Sequence, residues 1–65
     1  METQNVLAQI KKTRMSLGYS QEYMSYQLNM SQNHYCKIEN GQIRLSADTM
    51  FRIAGVLKIQ ITLTT

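Results

Sequence analysis

"YSQEYMSYQLNMSQNHYCKIENG", Tyr19 to Gly41, carries the start and stop signals of two short helices separated by a tight turn. Ser20 suits an N-cap, where its hydroxyl can accept from a free backbone N–H, and Glu22 falls in the first turn where the helix dipole favours an acid. Met24 and Leu28, four apart, define one buried face, and Ser25 is small enough to let another helix approach. Asn29 ends this helix, because asparagine tolerates the left-handed backbone better than most residues. Met30 is apolar and Ser31 is again a cap, so the next helix begins after a turn of a few residues. In it Tyr35 and Ile38 face the core and Gly41 is the stop. The opening turn of that helix, Gln32, Asn33 and His34, is dense in hydrogen-bonding groups.

Upstream, Val6, Leu7, Ile10 and Leu17, with Arg14 on the same stripe, predict an amphipathic helix from about Thr3 to Leu17, stopped by Gly18. Downstream, the loop "GQIRL" leads to Ser46, a further cap with Asp48 in the first turn. Met50, Ile53, Ala54 and Leu57 then give the inner face of a last helix. In the tail, residues 58–65, Ile59, Ile61 and Leu63 alternate with polar partners, a strand-like pattern too short to fold alone. There is no proline, low-complexity segment or internal repeat, so residues 1–65 read as a single domain.

A chain of 65 residues buries only roughly 60% of its unfolded surface, so its stability needs support from well-packed helices or a second copy. The lone Cys36 cannot make an internal disulfide. His34 and Cys36, two apart, would point about 200° apart around a helix, which excludes them as joint ligands, and no metal or cofactor is expected. One histidine, one cysteine and few acids supply no nucleophile with its base and orienting group, so the chain is not expected to be an enzyme. The net charge of +3 permits nucleic-acid binding without demanding it, and taken alone it describes an ordinary soluble surface equally well. No apolar run approaches the ~20 residues of a membrane span, and "METQN" lacks the regions of a signal peptide. A cytoplasmic, reducing setting is expected, with no membrane partner and no small-molecule ligand.

Two short helices joined by a tight turn, the second opening with polar groups, is the layout of a helix-turn-helix, here at about residues 20–40. The chain resembles the lambda-repressor-like, Cro/C1-type or XRE family. The residues that carry the likeness are Ser20-Gln21-Glu22, then Met24, Ser25 and Leu28, then Asn29-Met30-Ser31 at the turn and Ile38-Glu39-Asn40-Gly41 at the end. "SADTMFRIAGVL" is similar to the family's fourth helix. Ser25 stands where alanine is favoured, Leu45 where proline is frequent and Lys58 where glycine often ends the fourth helix. Many relatives continue into a fifth helix where this chain has "ITLTT". The resemblance implies an all-α, compact four-helix or five-helix domain with a short extended C-terminal tail.

In such a fold the third helix enters the DNA major groove with its N-terminal residues toward base edges. The resemblance therefore turns the polar cluster toward DNA. Gln32 and Asn33 carry amides that can bond adenine bidentately. Cys36 and Lys37 come within reach of bases or phosphate, and Lys37 either meets guanine or neutralises a phosphate. His34 lies to one side, nearer the DNA backbone. Gln21 takes the role of the family's phosphate-holding glutamine at the start of the second helix, and Ser31 combines capping with a possible phosphate contact. Of the loop residues Gln42 and Arg44, Arg44 is the stronger phosphate ligand, although a solvated loop cation is the plain alternative.

Arg14 on the inward stripe and Glu39 beside Ile38 are expected to meet as a partly buried pair, a reading the family resemblance supports. Tyr35 is expected in the core and Tyr19 over the start of the second helix, while Tyr23 and Tyr26, three apart, share one face open to exposure. Packing is expected of all but Tyr23, which approaches a phosphate, and the five methionines are expected to fill the core. The function implied is that of a sequence-specific, double-stranded-DNA-binding regulator, a repressor acting as a homodimer. Its tail, through Ile59, Ile61 and Leu63, would pair with that of a second copy. An antitoxin, a restriction-modification controller and a protein-interaction adaptor that has lost DNA binding are the alternatives on the same fold.

Overall fold

Serine hydroxyls start three of the four helices seen in the computed structural model, which describes residues 2–59, with the backbone alone for residues 2–4. Ser20 Oγ accepts from the Tyr23 N–H at 2.9 Å, Ser31 Oγ from His34 at 3.1 Å and Ser46 Oγ from Thr49 at 3.1 Å. Each bond occupies a backbone donor that the helix itself leaves free. The helices they define are α2 (Gln21–Gln27), α3 (Gln32–Glu39) and α4 (Ala47–Leu57), preceded by α1 (Glu2–Ser16). The all-α class is as expected, and no strand occurs among the described residues.

Each helix stops at a residue with left-handed backbone: Gly18 (φ 75°), Asn29 (φ 59°), Gly41 (φ 80°) and Lys58 (φ 57°). The reversal at these positions lets following N–H groups reach back to the last carbonyls. After α1, Tyr19 N–H bonds Arg14 O and Gly18 N–H bonds Met15 O. After α2 the corresponding bonds run from Met30 to Ser25 and from Asn29 to Tyr26, and after α3 from Gln42 to Lys37 and from Gly41 to Ile38. These paired bonds, spanning five and three residues, satisfy the last carbonyls and account for connections as short as 28–31. At α4 the position is held by Lys58, and Ile59 N–H still reaches Ala54 O.

The core is built from Val6 and Ile10 of α1, Met24 and Leu28 of α2, Tyr35 and Ile38 of α3, and Met50, Ile53, Ala54 and Leu57 of α4. Helix α2 packs on α3, α1 on α4, and lesser contacts join α1 to α3 and α2 to α4. Among the described residues no Cα of α3 comes within 8 Å of one in α4, and the two helices share the core only through their inward side chains. Arg52 on α4 donates to the carbonyl of Leu28 and ties α4 to the end of α2.

Four expectations need correction. Leu17 is 47% exposed because α1 ends at Ser16, which leaves Leu17 in the closing turn and Arg14 as the last inward residue of the stripe. Met15 is also exposed, so the methionines are not uniformly core filler. Tyr26 is 80% exposed and packs against little, whereas Tyr19 does pack on the core. Ile59, expected to open a strand, packs half-buried against the core. Ile61 and Leu63, and with them the rest of the proposed tail pairing, lie outside the described residues.

The backbone requirement at the turn yields a measurable contrast. Asn29→Val is expected to destabilise by about 1–2 kcal/mol, because a β-branched residue resists the left-handed region, while Asn29→Gly leaves stability close to wild type. Urea unfolding followed by circular dichroism distinguishes them, and equal losses for both variants would assign the role to the asparagine side chain instead.

Candidate nucleic-acid interface

Helix α3 is oriented by its buried side before it can present any outer one. The carboxylate of Glu39 accepts from Arg14 Nε at 2.9 Å and from Arg14 Nη2 at 3.0 Å, a two-pronged contact of guanidinium with carboxylate. It also accepts from the Tyr35 hydroxyl at 2.7 Å and from Gln21 Nε2 at 3.1 Å. Arg14 Nη1 donates to the carbonyl of Tyr19 at 2.8 Å, in the turn between α1 and α2. Arg14, Glu39 and Tyr35 are all buried, so α1, α2 and α3 meet at one closed polar cluster.

Burial opposes the charge on Glu39, yet the hydrogen bonds from Arg14, Tyr35 and Gln21 outweigh it and hold the carboxyl below its usual range. The bond to Glu39 raises Arg14 in turn. Burial, and then the bond to Glu39, push the Tyr35 hydroxyl far above its ordinary value. All three groups therefore keep one charge state across the neutral range. The expected pair of Arg14 with Glu39 is present; Tyr35 and Gln21 as its further members were not read from the sequence. The four-residue spacing of Tyr35 and Glu39 on one helix face was the available signal for the first.

With Tyr35, Ile38 and Glu39 turned inward, the opposite side of α3 is fixed by helical geometry. At 100° per residue Asn33 and Lys37 stand about 160° and 200° from Tyr35, so they form the centre of the outer face. Both are exposed, and among the described residues neither side chain has a hydrogen-bond partner. Cys36 borders this face, half-buried, with its sulfur 3.5 Å from Asn40 Nδ2. Gln32 is exposed on the flank toward α2, where it lines a shallow concavity with Glu22, Tyr23, Tyr26 and Met30. His34 is exposed on the other flank, with its N–H on Ser31 Oγ. Gln21 is half-buried at the start of α2, with its amide partly committed to Glu39. Arg44 is exposed in the loop between α3 and α4. Tyr23 is 39% exposed, and its ring lies 4.5 Å from that of Tyr19.

Residues 10–63 match the helix-turn-helix family of the Cro/C1 type. The chain belongs to that family. It is accordingly a DNA-binding domain of the transcription-regulator kind, whose partner is double-stranded DNA, and the family is not typically enzymatic. Comparison with curated proteins and with solved structures finds no match. Among the described residues no cluster of His, Cys, Asp and Glu could hold a metal, and no helix is long and apolar enough to cross a membrane.

Glu39→Ala should destabilise by more than about 2 kcal/mol, since it leaves Arg14 buried without its counter-charge. The lowered carboxyl also sets a pH dependence. Its stabilising contribution is present above the usual value of 4.5 and is lost as the pH falls through the lower folded-state value. Thermal melts carried into the acid range should show this loss in wild type and a flatter profile in Glu39→Gln; identical profiles would contradict it.

Proposed function

We propose that the protein is a transcriptional repressor that binds double-stranded DNA as a homodimer, with α3 of each copy in the major groove. The observation that carries this reading is the outer face of α3, where Asn33 and Lys37 stand opposite the buried Tyr35 without partners of their own. An asparagine amide can bond adenine N6 and N7 together, and a lysine can meet guanine O6 and N7. Gln32 and Cys36, four apart, extend the reading face along one flank. Sequence discrimination of this kind needs side chains that the fold does not use elsewhere, and Gln32, Asn33 and Lys37 satisfy that condition.

The remaining residues serve the DNA backbone. Gln21 gives one N–H of its amide to Glu39 and has a second to offer a phosphate, from a position fixed by the buried cluster. Arg44 supplies a charged contact from the loop, and Ser31 and His34 lie where the strand would pass the start of α3. Two copies reading half-sites about 34 Å apart supply the specificity that one short helix lacks.

The roles separate in binding titrations. Affinity for any duplex is expected to fall linearly with salt on logarithmic axes. Arg44→Ala should weaken all sequences alike and lower the salt slope by about 1, whereas Lys37→Ala should change the preferred bases. Equal losses from both variants on every duplex would refute the division of roles, and failure of wild type to bind a random duplex at low salt would refute the function.

A further inference from the structure

The outer face of α4 carries features that a single copy leaves unused. Phe51 is 63% exposed. One turn later stands Gly55, with ordinary helical backbone and nothing within 4 Å of the place a Cβ would occupy. Neither crowding nor backbone conformation within the protomer calls for glycine there, although glycine in a helix interior costs about 1 kcal/mol relative to alanine. Asp48 opens the same face and Lys58 closes it, both exposed. Asp48, Phe51 and Gly55 fall within about 60° of arc on one stripe of the helix, and Lys58 follows its last residue in left-handed backbone.

Their spacing is symmetric. Asp48 and Lys58 lie equally far from Ile53 in sequence, and so do Phe51 and Gly55. A twofold interface brings the same patch of both copies together, so that what faces residue i from one side faces it from the other. Two α4 helices packed antiparallel about an axis at the level of Ile53 would set each Phe51 ring against Gly55 of the partner subunit. The same register places each Asp48 beside Lys58 of the partner subunit. The acid and base are also well placed for their own helix dipole; that accounts for neither the exposed ring nor the glycine.

We propose that this face of α4 is the surface on which two copies of the chain meet, Phe51 filling the notch left by Gly55 and the Asp48–Lys58 pairs setting the antiparallel register. The proposal rests on the dimeric DNA-binding reading and adds where the dimer closes. Absence of a Cβ at Gly55 allows the helix axes to approach toward the short end of the usual 8–10 Å range. Asn33 and Lys37 lie on the side of α3 opposite the core that it shares with α4, so this outer face remains open when the outer face of α4 is covered. A face about 16 Å long is smaller than a standard interface, so the dimer is weak in the absence of DNA. Tail pairing is the competing arrangement, and its first residue, Ile59, is already engaged with the protomer's own core.

Sedimentation of the full chain over a range of concentrations tests the proposal. Wild type is expected to show a monomer–dimer equilibrium, and Gly55→Gln to weaken it by roughly tenfold or more while the circular dichroism stays helical. Asp48→Lys and Lys58→Asp should each weaken association, and the double exchange should restore it. A wild type that stays monomeric at high micromolar concentration, or a dimer that Gly55→Gln leaves intact, overturns the proposal; an intact Gly55→Gln dimer that Ile61→Asp dissociates assigns the interface to the tail. Binding of Gly55→Gln to a short half-site duplex at low salt separates this from the reading of α3, because it persists wherever α3 binds DNA and is missing from wild type too if α3 does not.

Discussion

Every helix that builds the candidate interface is located by the carboxylate of Glu39. Arg14 reaches it from α1, Gln21 from α2 and Tyr35 from within α3, and Arg14 also holds the turn at Tyr19. Removing charge from water is costly, and the mutual attraction of a buried pair does little more than offset that cost. The return is in arrangement. An apolar core of ten side chains would tolerate small rotations of a helix eight residues long, whereas a carboxylate with four donors tolerates few. The face opposite Glu39 is thereby aimed as well as exposed.

The short connections act in the same direction. Left-handed closures at Gly18, Asn29 and Gly41 return the last carbonyls of each helix to the chain's own N–H groups. Serine caps do the converse at the next helix start. Between them they satisfy many of the turns' backbone groups locally, while the carbonyls of Tyr19 and Leu28 accept from the side chains of Arg14 and Arg52. For a chain of 65 residues this economy matters, because each ordered loop residue would cost conformational entropy that so small a core can hardly offset.

Much of this could be read from the residues in order. Caps and stops are local chemistry, so Ser20, Ser31 and Ser46 and the residues Asn29 and Gly41 located the helix ends to within a residue or two. Stripes of Met24 with Leu28, and of Ile53 with Leu57, gave the inner faces. Periodicity failed where an element ended: Leu17 continues the stripe of α1 in sequence but lies beyond its last turn. It also failed for side chains whose partners are distant in sequence. Nothing near Gln21 indicates a carboxylate eighteen positions away. The outer residues of α3 were legible for a related reason, since a helix whose inner face is known has its outer face determined.

One consequence follows from the way α3 divides its labour. The residues that fasten it, Tyr35, Ile38 and Glu39, are disjoint from those it turns outward, Gln32, Asn33 and Lys37. Exchanging the outward set disturbs no packed atom and severs no internal bond, so the scaffold is indifferent to the vocabulary it displays. Under the proposed reading of this face, descendants of such a chain can drift to new target sequences without passing through unfolded intermediates, and target choice and fold integrity are free to evolve on separate clocks.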